Sequence, residues 1–339
     1  MHLTEFDFPF DSSLVALEPV SPRDRARLLL LNRAAEQRRH HHVADLPALL
    51  KPGDLLVVND TKVLAARVPG IKKSTGGSVE VLFVKDLGDR RWDIMVKGSF
   101  RVGQVIEFDQ QCSATIVKRD ATGTEVVVQG PVSVIQLFDQ RGMMPLPPYI
   151  KRAPIQEDGK WYQTVFAEHA GAIAAPTAGL HFTEDLFRRL HDAAINVATV
   201  TLHVGPGTFK PVTTERIEDH QMGGEVFHVG PETANMIDQT KRAGGRVVAV
   251  GTTVVRTLET VMKEKGEMVP LSGESRLFIT PGFQFQIIDA MMTNFHLPKT
   301  TLLMLVSAFA GIDQIRRVYE EAVKERYRFY SYGDAMLIL

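Results

Sequence analysis

The chain has 339 residues, 44% of them hydrophobic and 23% charged, with 39 Lys and Arg set against 40 Asp and Glu for a net charge of −1. This is a globular composition, long enough for two domains, and it excludes a whole-molecule field that draws in nucleic acid, so an RNA partner has to be held by local basic patches. Cys112 is the single cysteine, which excludes an intrachain disulfide or thiolate cluster and fits a reducing cytoplasm.

At the start, MHLTEFDFPFDSS lacks the basic and apolar regions of a secretory signal. The longest apolar run, from Leu302 to Ala310, is far short of the about 20 residues that span a bilayer. A cytoplasmic protein without a membrane segment is expected. A helix-like stretch carrying Arg23, Arg25, Arg27 and Arg33 leads to Arg38, Arg39 and the triplet His40-His41-His42. The triplet has no metal-ligand spacing and reads as a solvated or RNA-facing run. DLLVVND, from Asp54, is an apolar strand ending at Asn59, Asp60 and Thr61.

From Val79 to Val128 the runs VEVLFV, WDIMVK, QVIEFD, ATIVKR and EVVVQ alternate with turns, the pattern of a small antiparallel barrel or sandwich. VPGIKKSTGG and MMPLPPYIKR flank it as linkers. The expected architecture is therefore α/β: a discontinuous main domain, residues 1–67 and 148–339, interrupted by an inserted antiparallel β-barrel-like domain, residues 68–147. Beyond it, Thr183 is a predicted N-cap for a helix reaching Ala194, with Leu186, Phe187 and Leu190 on its apolar stripe. NVATVTL is a strand that delivers His203 to its carboxyl end, where ligands gather in open α/β sheets. RVVAV runs into Gly251-Thr252-Thr253 and a helix from Thr252 to Lys265, with Val254, Val255, Leu258, Val261 and Met262 on one face, Arg256, Glu259 and Lys263 on the other, and Gly266 at its end.

Three polar blocks between Ile173 and Glu225, namely APTAGLHFT, TLHVGPGTF and HQMGGE, set His181, His203 and His220 with Glu225 among glycines and threonines. Histidine titrates near neutrality, and His220 with Glu225 makes an acid/base couple across Gly223 and Gly224. A strand-end histidine is also a common structural residue, and an ordinary flexible turn accounts for the loop equally well. The start of the Thr252 helix offers free N–H groups and two hydroxyls to an anion, although a capped strand-to-helix turn needs the same residues and Arg256 has a surface partner in Glu259. No G-x-G-x-x-G, P-loop or G-x-S-x-G motif is present.

Over nearly its whole length the chain resembles the S-adenosylmethionine:tRNA ribosyltransferase-isomerase family of queuosine biosynthesis. The resemblance rests on FDFPFD from Phe6, DLLVVNDTKVLAAR from Asp54, PLPPYI from Pro145, YQTVFA from Tyr162, the three polar blocks, VGTTVVRTLE from Val250, PGFQFQIIDAMMTNFHLP from Pro281 and FYSYGDAML from Phe329. It implies transfer and isomerisation of the ribosyl group of S-adenosylmethionine, a co-substrate, onto 7-aminomethyl-7-deazaguanine at the wobble position of a tRNA with a GUN anticodon, giving epoxyqueuosine with release of adenine and methionine. No metal and no permanently bound cofactor is implied, and a monomer is expected.

Within that frame His203 or Glu225 is the candidate base for the 5′ proton, and His181 and His220 are candidates for protonating adenine. Gly251, Thr252, Thr253 and Arg256, with Thr177 and Gly179, are candidates for holding S-adenosylmethionine. Asn59, Asp60, Thr61, Asn294 and His296 are candidates for holding the deazaguanine or ribose. Two competing readings are an S-adenosylmethionine-dependent RNA methyltransferase, opposed by the missing Gly-rich first loop, and a noncatalytic RNA-binding protein, which leaves the histidines without a purpose.

Overall fold

The computed structural model describes residues 1–121, 123–205 and 212–339. After three short 3-10 turns the chain forms a hairpin of β1 (Arg27–Asn32) and β2 (Gln37–His42). The arginine-rich stretch is thus partly strand where a helix was expected. Leu28, Leu29 and Leu31 supply a strand buried on both faces, and β2 pairs with it across the whole hairpin. Arg38 and His40 of β2 are tied to Glu321, which draws these two members of the basic run into the fold.

Next come α1 (Leu46–Leu49), β3 (Leu55–Asn59) and β4 (Thr61–Val63), and then six strands: β5 (Arg67–Lys72), β6 (Ser78–Gly88), β7 (Arg91–Val96), β8 (Val105–Glu107), β9 (Ser113–Asp120) and β10 (Gly123–Gln129). These six close into an antiparallel barrel in the order β10-β7-β6-β5-β8-β9. β5 lies in the segment read as a linker. Pro69 faces out, and Gly70 is packed so closely that a Cβ would stand 2.8 Å from the Ile106 side chain, so the two residues that argued against a strand are the ones this strand requires. The barrel core gathers Val81, Phe83, Trp92, Ile106, Ile116 and Val126. It is joined by Leu137 and Phe138 of α2 (Val134–Arg141), whose N-cap is Ser133.

The remaining elements are α3 (Asp158–Trp161), β11 (His169–Ala172), α4 (Glu184–Asp192), β12 (Asn196–Leu202), β13 (Glu225–Val229), α5 (Pro231–Arg242), β14 (Val247–Val250), α6 (Thr252–Lys265), β15 (Leu271–Ser275), β16 (Ala290–Asn294), α7 (Thr301–Ala310), α8 (Ile312–Lys324) and β17 (Ala335–Ile338). A nine-stranded sheet runs β15-β13-β12-β3-β14-β16-β17-β1-β2. Its centre, β12-β3-β14-β16, is wholly parallel. Strands buried on both faces read as continuous apolar runs, and their alternate residues feed two cores. Leu55, Val57, Val247 and Ala249 face the layer containing Val254 and Leu258 of α6, while Leu56, Val58, Val248 and Val250 face the layer containing Leu186 and Leu190 of α4. The α/β class with a barrel-like insertion is the one read from the sequence. Thr183 caps α4 by accepting from the Leu186 N–H at 3.1 Å, and Gly266 ends α6 in the left-handed region at φ 76°.

Candidate active site

Parallel strands put all their carboxyl ends on one rim of a sheet, and four ends meet here. Leu202 delivers His203, Asn59 delivers Asp60 and Thr61, Val250 delivers Gly251, and Asn294 closes β16. β13 runs antiparallel to β12, so its first residue, Glu225, reaches the same rim. The sequence reading placed the Asn59 and Asn294 groups on one edge, and they are on one edge.

Asn59 knits the rim. Its Oδ1 accepts from the N–H groups of Thr61 at 3.1 Å and Leu202 at 3.0 Å. Its Nδ2 donates to the Leu202 carbonyl at 3.0 Å and to Thr253 Oγ1 at 3.3 Å. An amide with four satisfied bonds is fixed in orientation. Thr61 Oγ1 lies 2.8 Å from His203 Nδ1. Asp60 accepts from Thr201 Oγ1 at 2.6 Å and meets His169 Nδ1 at 3.3 Å.

On the other side of β14, Asn294 Nδ2 donates to His181 Nε2 at 3.1 Å and to the Tyr330 carbonyl at 3.1 Å, while its Oδ1 accepts from Thr177 Oγ1 at 3.0 Å. With Nε2 accepting, His181 carries its proton on Nδ1. Thr177 and His181 begin and end one 3-10 turn, which also holds the buried Gly179; a Cβ there would lie 2.8 Å from the Phe166 ring.

The histidines differ in electrostatics. His203 is half-buried, and burial, helped by the neighbouring His169 and opposed by Asp60, lowers its pKa below 6.5. Burial pushes His181 down to about 4 and His296 down to about 3, so both are neutral at neutral pH and neither arrives as an imidazolium. His181 therefore offers a neutral N–H. His296 turns into the core, where the Tyr319 hydroxyl lies 3.5 Å from its Nδ1; it shares an edge with Asn294 without sharing its network. His220 also stands apart, its ring edge-on to Phe278 at 5.3 Å.

Glu225 and Arg256 differ most from expectation. Both are buried and form an ion pair with each other. Glu225 also accepts from the Gly205 N–H at 2.9 Å, and Arg256 donates to the carbonyls of Leu277 and Ser275 at 3.2 and 3.3 Å. Arg256 is not a surface partner of Glu259, and Glu259 is itself buried, its carboxylate accepting from the N–H groups of Gln286, Ile287 and Ile288. The polar face assigned to α6 is thus covered by the chain around β15 and the approach to β16, a contact from distant sequence that helical periodicity does not register.

His169 and Gly171, both on β11, were missed. Their signal is weak: a short His-Ala-Gly-Ala run just ahead of the APTAGLHFT block. β11 pairs in parallel with β4, setting His169 opposite Thr61. Asp60, Glu168 and His169 bring three potential ligand atoms within 4.8 Å of one another, but Glu168 and His169 are exposed, and such a set needs no ion to explain it. Pro206, Gly207 and Thr208, which the sequence sets beside His203, lie outside the described residues.

The model of the family described as queuosine biosynthesis protein matches residues 3–338. The chain belongs to that family. A Symbiobacterium thermophilum relative, named S-adenosylmethionine:tRNA ribosyltransferase-isomerase, is 48% identical, and one of the same name from Desulforamulus reducens is 45% identical, each alignment covering 100% of both chains. The crystal structure of the Thermotoga maritima S-adenosylmethionine tRNA ribosyltransferase is similar at 36% identity with a TM-score of 0.58, covering 99% of this chain and 100% of that one. Among queuosine biosynthesis proteins, then, this chain gathers its candidate chemistry on the carboxyl rim of four parallel strands.

Proposed function

We propose that the rim carries out the reaction for which the relatives are named. As an S-adenosylmethionine:tRNA ribosyltransferase-isomerase, the chain moves the ribosyl group of S-adenosylmethionine onto a tRNA and rearranges it. The acceptor is the aminomethyl nitrogen of 7-aminomethyl-7-deazaguanine at the wobble position of a GUN anticodon, and adenine and methionine leave. The observation that carries this reading is one sheet rim bearing two hydrogen-bonded clusters: the half-buried His203 with Thr61, Asn59 and Thr253 at the ends of β12 and β3, and the buried His181 with Asn294 and Thr177 at the end of β16, three strands along from β12.

The sulfonium of S-adenosylmethionine acidifies the adjacent 5′ carbon, so a neutral imidazole of lowered pKa is a suitable base there. His203 is that base: it is half-exposed, whereas the Glu225 carboxylate is buried and committed to Arg256. His181 supplies a neutral N–H toward the departing adenine, oriented by Asn294. The N-terminus of α6 holds the methionine carboxylate through the backbone N–H groups of Thr252 and Thr253, the Gly251 N–H being given to the Met292 carbonyl at 2.7 Å. Thr177 lies at the half-exposed edge of the same site. Arg256 contributes through the buried pair, by fixing the turn after His203. Asp60 orders the β3–β4 junction, Asn294 acts through His181, and substrate contacts fall to exposed groups nearby. Residues 68–147 form one domain in this scheme and 1–67 with 148–339 the other, acting as a cytoplasmic monomer without a metal.

Two parallel incubations test the reaction. With pre-queuosine tRNA and cofactor labelled in the ribose, label is expected in the RNA; with methyl-labelled cofactor it is expected in free methionine. Methyl label on the RNA would instead mark a methyltransferase, and label in neither RNA pool would mark a binding protein. For the base, His203→Gln is expected to lower turnover by about 10²–10⁴-fold with the fold intact by circular dichroism.

A further inference from the structure

We propose that Thr61 and Gly171 are positioning residues for His203: Gly171 sets the plane of the imidazole and Thr61 sets which nitrogen carries its proton. The inference rests on His203 being the base and adds how it is made competent.

The geometry at Gly171 is specific. A Cβ built there would stand 2.7 Å from His203 Cε1 and 2.8 Å from both Nδ1 and Nε2. Nearly equal distances to three consecutive ring atoms place that point over the ring face and not at its edge, so the imidazole lies flat against Gly171, within a space that any side chain would fill. β11 holds that α-carbon in place through its parallel pairing with β4, and the His203 N–H donates to the Val226 carbonyl at 2.9 Å, fixing the backbone on the other side.

Thr61 has one hydroxyl proton and two neighbours, the His169 carbonyl at 3.5 Å and His203 Nδ1 at 2.8 Å. A carbonyl only accepts, whereas an imidazole nitrogen does either. Both contacts are satisfied together in one way: the hydroxyl donates to the His169 carbonyl and accepts from Nδ1–H. The lone pair is then left on Nε2, the nitrogen away from Thr61, which is the form a base requires. The charged and titratable groups nearest this ring are Asp60 and His169, which face it from the β3–β4 junction and from β11. Thr61 thus acts through the histidine, a different task from the substrate contact expected of it.

Nitrogen-15 NMR of histidine-labelled enzyme, at a pH where His203 is neutral, reads the tautomer without turnover. The wild type is expected to show Nδ1–H for His203; Thr61→Val is expected to move it toward Nε2–H, and Thr61→Ser to restore it. Gly171→Ala is expected to lower kcat by about 10²-fold, as for a reacting group displaced by about 1 Å, with KM for S-adenosylmethionine within about twofold. If Thr61→Val does not fold, Thr61→Ala takes its place in the NMR measurement. A Thr61 variant that keeps the Nδ1–H form, or Gly171→Ala with wild-type kcat, overturns the proposal. The two readings separate cleanly: full activity in His203→Gln removes the base assignment itself, whereas an inactive His203→Gln beside an unmoved tautomer removes only the positioning role.

Discussion

His203 owes its properties to its neighbours more than to its own chemistry. Burial and the nearby His169 lower its pKa while Asp60 opposes them, so a rate that needs the neutral ring should be flat near neutrality and fall only as pH drops below the ordinary 6.5. A pH profile of kcat/KM for cofactor checks this, and Asp60→Asn, which removes the opposing charge, should move the fall to lower pH still. The buried His181 and His296 have a second consequence. Their folded-state values of about 4 and about 3 lie below the unfolded 6.5, so between those limits the unfolded chain binds more protons and stability decreases as pH falls. Urea unfolding at a series of pH values should show that slope, and His296→Gln should flatten part of it. For the Glu225–Arg256 pair, removing one partner leaves an unpaired buried charge, and Glu225→Ala is expected to cost about 3–5 kcal/mol. The sequence displayed these side chains but not their pairing, because a glutamate before a strand and an arginine inside a helix look alike whether solvated or buried.

At the level of elements, legibility followed local physics. The β3, β12 and β14 strands are apolar runs because both their faces are covered, and α4 and α6 carry their own start and stop signals, so each could be read from a short window. What failed had its cause elsewhere in the chain. The β1–β2 hairpin hides behind arginines that face out or pair across the fold, and β5 contains Pro69 and Gly70, which deny a strand locally and suit one only against β8. The α6 face bearing Arg256 and Glu259 looked polar and is covered. Element ends give direct tests. Thr183→Ala removes the α4 cap and is expected to cost about 1 kcal/mol in thermal unfolding. Gly142, just after α2, is stricter: a Cβ there would lie 1.9 Å from the Ala65 carbonyl oxygen and 2.5 Å from that of Phe138. Neither backbone group can swing aside, so Gly142→Ala should detach α2 from the barrel and expose its Trp92 packing to fluorescence.

For the molecule as a whole, charge decides how RNA is met. With a net charge of −1 there is little long-range steering, and affinity for tRNA should arise from a few phosphate contacts and weaken linearly in log–log with added salt; a salt-independent affinity would contradict that picture. The described residues contain no helix long and apolar enough to cross a membrane. The two chain ends of the barrel lie side by side. Arg67 and Met143 pair there, with N–H to carbonyl distances of 3.3 and 2.8 Å in the two directions. Neighbouring ends make the barrel a cassette: the α/β sheet's strand order does not depend on what is threaded between those two residues, so a short hairpin grafted in its place should leave the rim assembled. The excised stretch, closed on itself through the same pair, offers a natural seam for circular permutation.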